Sequence, residues 1–279
     1  MALILAGGGL GPGYQGRILE GVLARADVVF VETYTVPGSG WLVEYARGLA
    51  GDRVFEATRS QLEELASRVI ERARRELVVV LVPGDPLVAT THRSLIAMAS
   101  TENVEFRVIP GVSGVCAAMS LSLLDFYKFG RTITVPGPWR GVKAYSILDY
   151  IYSNACIGLH TLALLDISPG GAQLDPASAA RILTGLEGDM GEKLVARASV
   201  IVVERAGLDS ERITVYESLA ELAGEDGDWR EPASIVIPGS PSPIEAEHVA
   251  QAYGRVLRGI DKDSACSARE ALYRFLDNG

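Results

Sequence analysis

"LVVVLVPGDPLVATTH" occupies residues 77–92. Its first six residues are all apolar, with no polar alternation, which marks a strand covered on both faces of a sheet. Pro83-Gly84 closes the run, Asp85 follows in position to cap the next helix, and Thr90 and Thr91 bring hydroxyls to its start. The same ending recurs in "FRVIPGVSG" at 106–114, "ITVPGP" at 133–138 and "IVIPGS" at 235–240. One Pro-Gly is only a turn. Several at strand ends say more. Glycine turns beyond the carboxyl ends of parallel strands are where open α/β sheets bind ligands, because no Cβ keeps the backbone away.

Outward from this stretch, apolar runs alternate with helical patterns. Strands are expected at 3–6, 28–32, 77–82, 104–109, 131–135, 161–166, 199–204 and 234–237. Helices are expected at 17–26, 40–49, 61–74, 91–100, 113–124, 144–153, 177–186, 216–223 and 243–254. Helix 61–74 has the clearest period, with Leu62, Leu65, Val69 and Ile70 on one side. The alternation predicts an α/β fold with largely parallel sheets. A Pro- and Gly-rich connector at 169–176 suggests two α/β domains, 1–167 and 168–279, with a ligand cleft between them. "SAREALYRFL", near the end, reads as a short helix.

The N-terminal loop poses a different question. Gly11, Gly13 and Gly16 match G-x-G-x-x-G, and Glu32 follows the apolar run 28–31, as in a dinucleotide-binding unit. In such a unit the first glycine leaves the strand directly, so that a pyrophosphate meets the helix N-terminus. Here the strand ends at Ala6, well before Gly11, and counting from Gly7 puts Pro12 at the third glycine. The match reads as a long glycine loop. An NAD-dependent oxidoreductase stays a rival reading, separable by NAD binding.

The chain has 279 residues, a net charge of −9 and 48 % hydrophobic residues, ample for a buried core. The negative charge disfavours nucleic acid as a partner. Of the 26 basic residues, 22 are arginine. No apolar stretch reaches the ~20 residues that span a membrane. No basic segment precedes the first apolar run, which argues against a signal peptide. Cys116, Cys156 and Cys266 lie far apart, and the expectation is a cytoplasmic protein with three reduced thiols.

His92, His160 and His248 have no neighbours at metal-ligand spacing, so no metal is expected. Ser113 lacks a nearby base, Cys116 reads as a small apolar helix residue, and no Walker A loop is present. The pattern advertises a ligand site without acid–base machinery. That suits chemistry carried by a cofactor.

Taken whole, "GDPLVATTH" resembles the signature of the diphthine synthases, members of the tetrapyrrole-methylase-like (class III) S-adenosylmethionine-dependent methyltransferases. "GGGLGPG", "VFVETYT", "FYKFGRTITV", "GLHTLALLDI", "VVERAG" and "PASIVIPGSPSPIEAEHV" resemble further family segments in matching order. Tyr14-Gln15-Gly16 departs from the usual continuation of the glycine loop. Leu87-Val88 brings the signature closer to the archaeal form.

The resemblance implies two α/β domains with S-adenosylmethionine in the cleft, and a homodimer. The implied substrate is elongation factor 2, at the amine of its aminocarboxypropyl-modified histidine. Implied cofactor contacts are Leu10, Asp85, Val88, Ser113, Gly114, Leu165, Ala206 and Ala233. The family tends to carry histidine at the last of these, so only the backbone of Ala233 would serve. A tetrapyrrole or ribosomal RNA methylase of the same superfamily is the second rival, and a non-catalytic module that retains the cleft the third.

Overall fold

The structure, a computed structural model, describes residues 1–64 and 66–277. Its contacts fall into two compact units, Met1–Ala117 and Ala118–Gly279.

The first unit holds five parallel strands, β1 (Ala2–Gly7), β2 (Val28–Glu32), β3 (Val54–Ala57), β4 (Leu77–Val82) and β5 (Phe106–Ile109), in the order β3-β2-β4-β1-β5. Its helices are α1 (Arg17–Arg25), α2 (Trp41–Ala50), α3 (Ala66–Ala73), α4 (Arg93–Thr101) and α5 (Gly114–Leu121), the last running into the second unit. Successive strand residues feed opposite cores. Ile4, Ala6, Val79 and Leu81 pack with Leu23 and Leu42 of α1 and α2. Leu3, Leu5, Val78, Val80 and Val82 meet Ile70 and Leu95 of α3 and α4. Both faces are covered, so β4 needs no polar residue. The helix expected at 61–74 divides into a π-helical turn, Ser60–Glu64, and α3. Leu62, Val69 and Ile70 are buried as expected, while Leu65 lies outside the described residues.

The second unit holds β6 (Ile133–Val135), β7 (Thr161–Leu165), β8 (Val200–Glu204), β9 (Arg212–Tyr216) and β10 (Ala233–Ile237), in the order β6-β7-β10-β8-β9. Only β6 and β7 run parallel; every other pairing is antiparallel. The expectation of parallel sheets therefore fails here. β8 and β9 form a hairpin, and β10 enters reversed to pair with both β7 and β8. The helices are α6 (Ser146–Cys156), α7 (Pro176–Asp189), α8 (Leu194–Arg197), α9 (Leu219–Ala223), α10 (Pro243–Tyr253) and α11 (Lys262–Asp277). Tyr216, expected to open a helix, ends β9. α9 starts instead after Ser218, whose side chain accepts the Glu221 N–H at 3.0 Å.

Two further expectations need correction. The division near 167 falls inside the second unit, because β6 and β7 pair into its sheet and the 169–176 connector is a turn joining β7 to α7. The thiols are not all reduced: Cys156 and Cys266 form a disulfide with Cα atoms 5.0 Å apart, and Cys116 is free and exposed. The cause is α11, longer than expected, which lies along α6. Tyr145 meets Phe275 edge-on at 5.3 Å, and Arg269 Nε donates to Asp149 at 2.7 Å, aligning the two cysteines.

Candidate functional site

In the first unit, β1, β4 and β5 end side by side in glycine turns. A Cβ on Gly111 would lie 2.1 Å from the Gly84 carbonyl oxygen, and one on Gly7 would lie 2.5 Å from the Gly111 nitrogen. Gly84 also has φ +71°, a region that favours glycine. Gly9 and Gly84 exchange both backbone hydrogen bonds, at 3.2 and 2.9 Å. The result is a cradle of bare backbone.

Asp85 braces the cradle rather than capping α4, which begins only at Arg93. Its Oδ1 accepts the Leu87 N–H at 2.9 Å and its Oδ2 the Gly111 N–H at 3.1 Å. Leu10 reaches the same turn: its Cδ2 stands 3.8 Å from where a Cβ on Gly114 would be. Ser113, nearly buried, precedes Gly114, and Val88 lies in the Asp85 loop with 37 % of its surface exposed. Leu10 and Gly114 are thus neighbours, and Asp85 is bonded to the turn that carries Ser113 and Gly114. Gln15, in the segment that departs from the family pattern, ties the N-terminal loop. Its Nε2 donates to the carbonyls of Gly8 and Gly11 at 2.6 and 2.8 Å, and its Oε1 accepts the Gly13 N–H at 3.0 Å.

Glu32 shows why the dinucleotide pattern misleads. Its carboxylate is fully buried and accepts from the N–H groups of Tyr34 and Thr35 and from the Thr35 hydroxyl, at 2.9, 2.7 and 2.6 Å. Burial pushes its carboxyl above the ordinary value, while those bonds pull the other way. It holds its own turn together and is closed off from solvent.

In the second unit, the three remaining implied contacts gather where β7 and β8 end and β10 begins. Ala233 pairs with Glu204 at the end of β8, two residues before Ala206. Leu165 is the last residue of β7, one position beyond the Leu164–Ser234 pair. Gln173, which the sequence left unmarked in the connector, joins these strands. Its Oε1 accepts the Ala233 N–H at 2.7 Å, and its Nε2 donates to the Ala233 carbonyl at 3.0 Å. Below them Glu204, fully buried, accepts from Arg212 Nη2 and from the Arg230 N–H, both at 2.7 Å.

Asp166, next to Leu165, accepts both prongs of Arg140 at 2.8 Å, Trp139 Nε1 at 2.9 Å and the Gly137 N–H at 3.1 Å. The Arg140 guanidinium holds its carboxyl down at about 2, against a smaller effect of burial. Farther along the same unit, Glu245 joins Lys128 and His160. His160 Nδ1 accepts the Gly239 N–H at 3.0 Å, which leaves Nε2 to donate to Glu245 at 3.0 Å, and Lys128 Nζ donates to the Ser240 carbonyl at 2.7 Å. Burial holds the imidazole below its ordinary pKa despite the carboxylate beside it. For Glu245 burial acts upward but is outweighed by Lys128 and two backbone N–H groups, so its carboxyl lies below the ordinary range. This is a pinned structural joint. Among the described residues no group of three His, Cys, Asp or Glu could hold a metal, and no helix is long and apolar enough to cross a membrane.

Residues 5–223 match the tetrapyrrole (corrin/porphyrin) methylases. The chain is a methyltransferase of that class. It is 42 % identical over 261 residues to the diphthine synthase of Aeropyrum pernix, covering 91 % of this chain and 88 % of that one. It is 36 % identical over 248 residues to the diphthine synthase of Pyrobaculum aerophilum, covering 88 % and 95 %. A crystal structure of a conserved hypothetical protein from Aeropyrum pernix K1 superposes with a TM-score of 0.89 at 40 % identity, over 99 % and 98 % of the two chains. A crystal structure of diphthine synthase superposes with 0.79 at 30 % identity, over 91 % and 96 %. The chain belongs to the diphthine synthase family.

Proposed function

We infer that this methyltransferase uses S-adenosylmethionine to methylate the amine of the aminocarboxypropyl-modified histidine of elongation factor 2, as a homodimer in the cytoplasm. Family membership supports the substrate, and the observation that carries the site is the glycine cradle braced by Asp85. The residues fit the cofactor. At Gly7 and Gly111 a Cβ would collide with neighbouring backbone, and Gly84 holds φ +71°, so the three turns keep bare backbone at the strand ends. When bound, S-adenosylmethionine supplies an electrophilic methyl group on a cationic sulfonium.

The chain's own contribution is position. Leu10, Asp85, Val88, Ser113, Gly114, Leu165, Ala206 and Ala233 are the proposed cofactor contacts. Holding two reactants in line can lower a barrier by about 7–11 kcal/mol without any acid or base. That matches a site built of turns rather than of titrating side chains. Labelled S-adenosylmethionine, offered with elongation factor 2 whose histidine carries only the aminocarboxypropyl group, tests the reading. Label on that side chain is expected; transfer to RNA or a tetrapyrrole instead would overturn it.

A further inference from the structure

Gln173 is bound to the strand ends through one planar edge. Its carboxamide saturates both backbone polar groups of Ala233, accepting from the N–H at 2.7 Å and donating to the carbonyl at 3.0 Å, with Leu165 O farther off at 3.4 Å. A carboxamide presents one acceptor and one donor side by side. The Watson–Crick edge of adenine does the same, with its ring N1 as acceptor and its exocyclic amine as donor. The N–H and C=O of a single extended residue complement either one.

We propose that Gln173 is a built-in stand-in for the purine edge: it holds the Ala233 backbone pair until the adenine of the cofactor replaces it. This rests on the reading above that Ala233 meets S-adenosylmethionine. The local architecture allows the exchange. The backbone of Gln173 is anchored, its N–H donating to Glu231 at 2.9 Å and its strand position bridged to Ile167. The side chain is only half-buried, at the end of an exposed turn through Gly170 and Gly171. It can therefore swing out without unravelling the turn, which is a rotamer change and not a refolding step. Gln173 acts on the ligand through competition for Ala233, so it sets affinity and selectivity for the base and takes no part in methyl transfer.

Calorimetric titration of the full chain with S-adenosylhomocysteine and with S-inosylhomocysteine tests this. Gln173→Ala removes the competing edge, and Gln173→Met removes it while keeping the bulk, should alanine unseat the turn. S-adenosylhomocysteine is expected to bind either variant about three- to tenfold more tightly than the unaltered chain, the weight of about one net hydrogen bond. S-inosylhomocysteine, whose edge sets a donor where adenine has an acceptor, is expected to gain nothing. Unchanged or weaker binding of the adenosyl compound in both variants would overturn the role of Gln173 and leave the proposed function standing. An equal gain for both compounds would also overturn it, since that would be relief of crowding. Failure of the unaltered chain to bind S-adenosylhomocysteine at all would overturn the proposed function and this role with it.

Discussion

Asp85 and Gly111 are joined across the end of β1: the carboxylate of the loop after β4 accepts the N–H of the loop after β5 at 3.1 Å. Removing it frees two N–H groups, those of Leu87 and Gly111, at the lip of the cradle. Asp85→Ala is expected to weaken S-adenosylmethionine binding about tenfold while costing about 1–3 kcal/mol of stability. Calorimetry paired with urea unfolding separates the two effects; undiminished affinity would remove Asp85 from the site.

Gly111 has no room for a methyl group. Gly111→Ala places a Cβ against the Gly84 carbonyl and is expected to cost about 1–3 kcal/mol, read as a lower urea midpoint. Gly16→Ala meets open space at φ −96° and should stay within about 0.5 kcal/mol. Equal effects would mean that the glycines matter only as flexible chain.

Asp166 supplies a pH signature. Its carboxyl lies below the ordinary 3.8, at about 2, so the ionised form favours the folded chain. That contribution is present above the unfolded value and is lost as pH falls from about 4 through 2. Arg140 is half-exposed, so solvent screening keeps the effect small. Unfolding of Asp166→Asn at pH 7 and pH 3 should show a gap from the unaltered chain that narrows at the lower pH; a constant gap would sink the assignment.

Glu245 carries the joint with Lys128 and His160. Glu245→Leu strips Lys128 of its carboxylate partner and opens the capping box that starts α10. A loss of about 3–5 kcal/mol is expected. Lys128→Met in the same background should recover part of it, because the uncompensated cation is then gone. No recovery would assign the loss to the cap alone.

The glycine turns that line the cradle were legible because each closes an apolar run, and Gly84 and Gly111 stand in such endings. β4 was legible for the same reason. Strand direction in the second sheet was not, since Val200–Glu204 and Ala233–Ile237 are buried on both faces whichever way they run. β3 and β9 are short edge strands whose partly exposed residues carry little apolar signal. Gln173 sits in a connector that composition marks only as a linker, and its role depends on Ala233, sixty positions away. The turn formed by Glu32 looked like a ribose contact because burial after a strand gives both the same sequence outline.

The Cys156–Cys266 bond makes a covalent ring of everything from the end of α6 to the second turn of α11, a separation of 110 positions. The exposed turn at 169–172 lies inside that ring. A protease that cuts there opens the ring without releasing either piece. The nicked chain should migrate as one band on a denaturing gel without reductant and as two with it. Damage at the turn that presents Gln173 would then leave both fragments tethered, and able to re-dock as one molecule.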